Sequence, residues 1–100
     1  MTFRIERADA ARDDLLQIWE TIAVEDEATA DRQVQRIAEA MTVLADHPRI
    51  GPSRDDLRLG LRAFLRTPYL IFYDVDDDSR VVRIVRVIDA RRDLEAEFGS

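Results

Sequence analysis

The chain opens on alternation. In residues 2–6, TFRIE, Phe3 and Ile5 stand between polar neighbours, a two-residue period that predicts a short first strand. The period then changes. Ala8, Ala11, Leu15, Ile18, Trp19 and Ile22 recur at spacings of three and four, the stripe of an amphipathic helix over residues 9–24. Asp9 is its expected N-cap, and Asp13 and Asp14 lie near the positive end of the helix dipole. Glu25-Asp26-Glu27 breaks the stripe. A second one follows in Ala30, Val34, Ile37, Ala38, Met41, Leu44 and Ala45, predicting a helix over 27–46 with Asp26 as its N-cap. His47-Pro48 ends it, because proline disfavours helical backbone in the residue before it. The short link between the stripes implies an antiparallel helical hairpin.

Residues 48–60 hold Pro48, Gly51, Pro52, Asp55, Asp56 and Gly60 and read as a loop. Three apolar segments follow, 61–66 (LRAFLR), 69–75 (YLIFYDV) and 81–88 (VVRIVRVI), rich in β-branched and aromatic residues. Thr67-Pro68 separates the first two. Asp76-Asp77-Asp78-Ser79 suits a hairpin turn between the second pair, since short polar side chains bond their own backbone there. Such short links favour an antiparallel meander. The expected architecture is α+β in the order β-α-α-β-β-β, with the helical hairpin packed on one face of an antiparallel sheet and a short C-terminal tail or helix. Residues 69–73 are apolar on both faces and so predict a central strand covered on each side. The hairpin covers one face. For the other only 91–98, RRDLEAEF, remains, with Leu94 and Phe98 at helical spacing. Either this tail lies across the second face or another polypeptide does; the expectation carried forward is an apolar surface that a partner occupies.

At 100 residues the chain is expected to form one domain, residues 1–100, with a single core. Hydrophobic residues make up 46% and charged residues 36%, a globular balance. The absence of Cys excludes disulfides, thiolate metal sites and a cysteine nucleophile, and the lone His47 excludes a multi-histidine metal site. No metal and no cofactor are expected. No apolar run reaches the roughly 18 residues of a membrane span, and the charged start does not read as a signal peptide, so no membrane association and a cytoplasmic location are expected. All fifteen basic residues are Arg, so no lysine is present to serve as a base or a phosphate clamp. The net charge is −6 and unevenly spread. Residues 1–48 hold five Arg against eleven acids, whereas 49–66 hold five Arg against two and 80–92 five Arg against one. An acidic chain lacks the basic footprint of a general nucleic-acid binder, yet local arginine surfaces suit an anionic partner.

Several local patterns, in order and over nearly the whole chain, resemble those of one family. Residues 11–19, ARDDLLQIW, resemble the A-x-x-D-L-x-x-I-W opening of ParE-type toxins in the RelE/ParE superfamily of bacterial toxin–antitoxin systems. Pro48-Arg49-Ile50-Gly51 resembles their P-x-x-G, and Gly60-Leu61-Arg62 and Tyr69-Leu70-Ile71-Phe72-Tyr73 resemble their G-L-R and Y-x-I-x-Y. Residues 86–93, RVIDARRD, resemble their R-V-x-H-x-R-R-D, with Asp89 in place of the histidine. The resemblance implies a toxin neutralised by a cognate ParD-like antitoxin in a hetero-oligomer. In the ParE branch it implies DNA gyrase inhibited by binding, with no catalytic residue and no sequence-specific nucleic-acid contact. The alternative is the RelE branch, a ribosome-dependent mRNA endonuclease, with Arg62, Arg86, Arg91 and Arg92 on phosphates and Tyr73 stacking on a base. RNA cleavage requires a base, an acid and cationic stabilisation of the phosphorane. The missing lysines, Asp89, and a stretch after Arg92 without tyrosine favour the binding toxin.

Candidate antitoxin contacts are Trp19, Arg62, Phe64 and Arg66; candidate target contacts are Arg86, Arg91, Arg92, Leu94 and Phe98. Each has a structural alternative. Trp19 belongs to a core stripe. Arg62 and Arg66 flank Phe64 on one sheet face, a partner surface or a solvated one. Arg86 serves a partner or an internal ion pair with Asp89 or Asp93. Tyr69, Ile71, Tyr73 and Val75 share a face and read as core.

Overall fold

A computed structural model describes residues 2–99. Its elements are β1 (Arg4–Arg7), α1 (Asp9–Ala23), α2 (Glu27–Asp46), β2 (Arg62–Arg66), β3 (Tyr69–Asp76), β4 (Val81–Asp89) and α3 (Leu94–Glu97). The α+β order and the helical hairpin are those expected from the sequence. The Asp26 carboxylate accepts from the Ala28 and Thr29 amides and caps α2, and His47 ends it. In the β3–β4 turn the Asp76 carboxylate accepts from Asp78 and Ser79 N–H. The N-cap of α1 differs from expectation. Ala8 holds that position without a side-chain bond, because its N–H donates to Ile84 C=O and keeps the chain extended one residue beyond β1. Asp9 becomes the first helical residue and pairs with Arg12.

The sheet order is β1-β4-β3-β2. Strands β2, β3 and β4 form the antiparallel meander, but β1 pairs with β4 in parallel, which corrects the expectation of an entirely antiparallel sheet. The path of the hairpin explains this. α2 ends beside the beginning of β1, where Phe3 N–H donates to Ala45 C=O at 2.9 Å. The chain therefore re-enters the sheet from the end at which β1 starts, and β1, β2 and β4 run in one direction. Between Phe72 and Tyr73 the β3–β4 register shifts, leaving Val85 as an extra residue in β4.

The stripes of both helices pack on one sheet face: Ala11, Ile37, Ala40, Met41 and Leu44 meet Ile71, Tyr73, Val82, Ile84 and Val87. The second face is covered from within the chain. Leu61, Ala63, Phe72 and Ile88 are buried there beneath Leu57 of the loop and Leu94 and Phe98 of the tail. Phe98 meets Phe72 edge-on, with ring centroids 4.9 Å apart. Of the two coverings left open by the sequence, the tail is the one observed, so no partner is required over Phe72. Leu65 remains about half exposed at the β2 edge, with Leu70 half-buried opposite it.

Candidate functional site

β1 ends at Arg7 and pairs only as far as Ile84, so the last residues of β4 have no strand on that side. A side chain takes its place. The Asp14 carboxylate, carried in by α1, accepts from Val87 N–H at 2.9 Å and from Arg86 Nε and Nη2 at 2.7 and 2.9 Å. Among the described residues Asp14 is the one buried charged residue, and its three donors offset the cost of removing its charge from water. These bonds together with nearby Glu97, 3.5 Å from Nη1, hold the Arg86 guanidinium above its ordinary pKa. Arg86 therefore sits in an internal ion pair, but with Asp14 rather than Asp89 or Asp93. The spacing of α1 points Asp14 toward the sheet; which strand it meets depends on the crossing of the two elements.

Around this pair the C-terminal arginines are also engaged. Arg92 pairs with Glu97, and Arg91 chelates Asp89 through Nε and Nη2 while its backbone N–H reaches the same carboxylate. The Arg91 bonds, chiefly the side-chain one, lower the Asp89 pKa to about 2. Of the candidate target contacts, Arg91 and Arg92 are exposed just after β4, whereas Leu94 and Phe98 are half-buried against the second face of the sheet. Between α1 and this end of β4 lies an open cleft of about 230 Å³, lined by Thr21, Tyr69, Asp89 and Arg92 among others. Burial, with Asp89 nearby, raises the Tyr69 pKa.

The β2 residues divide. Arg62 is drawn inward, its Nη1 donating to Gly51 C=O at 2.8 Å, where it braces the loop after α2. Arg66 stacks on Phe64, its guanidinium 5.0 Å from the ring centroid, and both stay partly accessible. Tyr73 is fully buried, and its hydroxyl accepts from Gly51 N–H at 3.0 Å; burial raises its pKa. A Cβ at Gly51 would lie 2.7 Å from Ala63 O and 2.8 Å from the Tyr73 hydroxyl, which explains the glycine there. Trp19 is half-buried between the helices, its Nε1 donating to Asp31 at 2.8 Å. The antitoxin candidates therefore do not converge: Phe64 and Arg66 share the β2 edge, Arg62 lies under the loop, and Trp19 belongs to the hairpin. Sequence inspection did not identify Asp14, Gly51 or Glu97 as organising residues. The Asp14 of the D-L-x-x-I-W pattern and the Gly51 of P-x-x-G were the available signals.

A four-stranded sheet with a two-helix hairpin on one face and an arginine-bearing last strand defines a RelE/ParE-like toxin fold. Comparisons with known proteins agree. Residues 5–94 match the family described as "ParE toxin of type II toxin-antitoxin system, parDE". Toxin ParE3 of Caulobacter vibrioides is 37% identical over 71 residues, 71% of this chain and 69% of that protein. The chain thus belongs to the ParE toxin family of type II toxin–antitoxin systems. The chromosomal ParDE system of P. aeruginosa contains a chain of the same fold, with a TM-score of 0.73 at 22% identity, covering 88% of this chain and 96% of that one. The toxin–antitoxin complex RelBE2 of Mycobacterium tuberculosis aligns with a TM-score of 0.67 and 26% identity, over 89% of this chain and 99% of that one. A mutant of the E. coli toxin RelE in the free state shares the fold at a TM-score of 0.66 and 18% identity, with 91% of this chain and 86% of that one covered.

Proposed function

We propose that residues 1–100 form one cytoplasmic toxin domain that arrests growth by binding DNA gyrase and is neutralised in a hetero-oligomer by a ParD-like antitoxin. The observation that carries this reading is the ParE-family match over residues 5–94, joined by the ParE3 likeness. The geometry supports a binding toxin over a nuclease. Of the residues a RelE-type reaction would draw on, Tyr73 is fully buried, Arg62 is bound to a backbone carbonyl and Arg86 is closed around Asp14. Arg91 and Arg92 are accessible but held by carboxylates, which repel a phosphate. The target surface is then Arg91, Arg92, Leu94 and Phe98, positioned by Arg86. Phe64 and Arg66, with Arg62 bracing the loop beside them, and Trp19 are offered to the antitoxin. The deciding experiment adds the purified chain to gyrase and relaxed plasmid. Loss of supercoiling, together with DNA-damage signalling in cells expressing the chain alone, is expected. Unimpaired supercoiling with cut messages in those cells would replace this reading by the endonuclease.

A further inference from the structure

Past the end of β1, β4 keeps one edge open beside α1. Ala90 N–H donates to Pro68 C=O, so Arg86, Ile88 and Ala90 turn their backbone groups toward β3. Val87 turns the other way, its N–H held by the Asp14 carboxylate at 2.9 Å. In such a strand the N–H and C=O of one residue point to the same side, and the pattern repeats every second residue. Val87 C=O and Asp89 N–H therefore both face the open edge, an acceptor beside a donor. Among the described residues neither has a partner. The cleft of about 230 Å³ between α1 and β4 lies along this edge. Ile18, Val87 and Tyr69 give it apolar walls, with Gln17 and Thr21 of α1 on the far side. The Thr21 hydroxyl donates to Gln17 C=O at 2.8 Å, whereas the Gln17 side-chain amide and the Tyr69 hydroxyl bond no described group. The charges around the cleft are matched: Asp14 with Arg86, Asp89 with Arg91 and Arg92 with Glu97. An occupant that fits it is flat, uncharged and able to give and take a hydrogen bond on adjacent atoms.

We propose that this cleft binds a neutral nucleobase, its donor–acceptor edge on Val87 C=O and Asp89 N–H and its ring against Ile18 and Tyr69. Nucleobases carry donor and acceptor on neighbouring atoms of one flat edge. Adenine gives an amino hydrogen to the carbonyl, and its ring nitrogen accepts from the amide. A peptide strand offers the same two groups, but the edge is too short for one. Asp14 has taken the Val87 amide, and after Asp89 the chain turns back, with Arg92 N–H on Asp89 C=O, so one donor and one acceptor are left. α1 also stands along the edge where a further strand would run. The cleft is smaller than the roughly 300–1,000 Å³ that drug-sized ligands occupy, and suits one ring system. The paired arginines leave no free cation for a phosphate, so the base and not its phosphate is what the site recognises. Such binding is independent of the toxin reading above.

The whole chain, isotopically labelled, is titrated with adenosine, with its dimethylamino analogue, which lacks the amino hydrogens, and with N-acetylvaline methylamide as a strand mimic. Backbone amide shifts report both place and affinity. Millimolar adenosine is expected to move the amides of residues 17–21 and 87–89, with the Asp89 N–H moving downfield as it gains an acceptor. The dimethylamino analogue should bind about tenfold more weakly, the effect of one lost hydrogen bond. Thr21→Trp fills the cleft from an exposed helical position and should weaken adenosine by about tenfold or more, against no more than about threefold for Thr21→Ser, with circular dichroism confirming that both are folded. No shift at millimolar adenosine, or equal binding of the dimethylamino analogue by the wild type, overturns the nucleobase. Shifts confined to other segments, or wild-type affinity in a folded Thr21→Trp, overturn the cleft. The strand mimic moving residues 87–89 while adenosine does not overturns the nucleobase in favour of a peptide.

Discussion

Asp14 and Arg86, 72 positions apart in sequence, form a two-pronged ion pair that closes the open edge of the last strand. The same carboxylate takes the Val87 amide, so one side chain of α1 replaces the strand that β1 is too short to supply. Removing one member of such a pair leaves an uncompensated charge away from water.

Asp14→Ala is therefore expected to lower stability by about 2–4 kcal/mol in urea unfolding, since both a bidentate pair and a backbone bond are lost. Asp14→Leu combined with Arg86→Met should recover much of that loss, because two apolar groups leave no orphaned charge. Strict additivity of the two substitutions would contradict direct coupling.

Gly51 and Tyr73 form a second test. Gly51→Ala places a Cβ against Ala63 O and the Tyr73 hydroxyl, and should cost about 2 kcal/mol. Tyr73→Phe leaves the Gly51 N–H without its acceptor and should cost about 1–2 kcal/mol. In the double variant the missing hydroxyl relieves part of the clash, so the combined loss, read from denaturation midpoints, should be smaller than the sum.

The pH dependence of the Asp89–Arg91 pair follows from the folded carboxyl's pKa of about 2, below its ordinary 3.8. A lowered pKa means that the folded state binds the proton less readily than the unfolded state. Its stabilisation is present above the ordinary carboxylate range and fades as pH falls from about 4 toward 2. Arg91→Ala should return the Asp89 titration toward the ordinary value, as followed by carboxyl carbon chemical shifts.

Phe98→Ala removes the edge-on ring over Phe72 and uncovers the second face. A loss of about 1–3 kcal/mol is expected, smaller than for a fully buried ring, with increased binding of a hydrophobic dye. Unchanged dye binding would mean that the tail does not shield that face.

The local elements were legible in the chain. The two stripes predict helices within a residue of those found, Asp26 caps where a short acidic side chain should, and the acids after Val75 make the turn. These features depend on backbone period and on side chains that bond their own neighbours, information contained in a few consecutive residues. The resemblance of ordered motifs carried the family as well. Nothing in that pattern showed that β1 would lie parallel to β4, that Asp14 would meet Arg86 or that Phe98 would fold back on Phe72. Each of those depends on where α2 delivers the chain and how α1 crosses the sheet. Such placements are set by the packing of whole faces against one another, and no local stretch of sequence contains them.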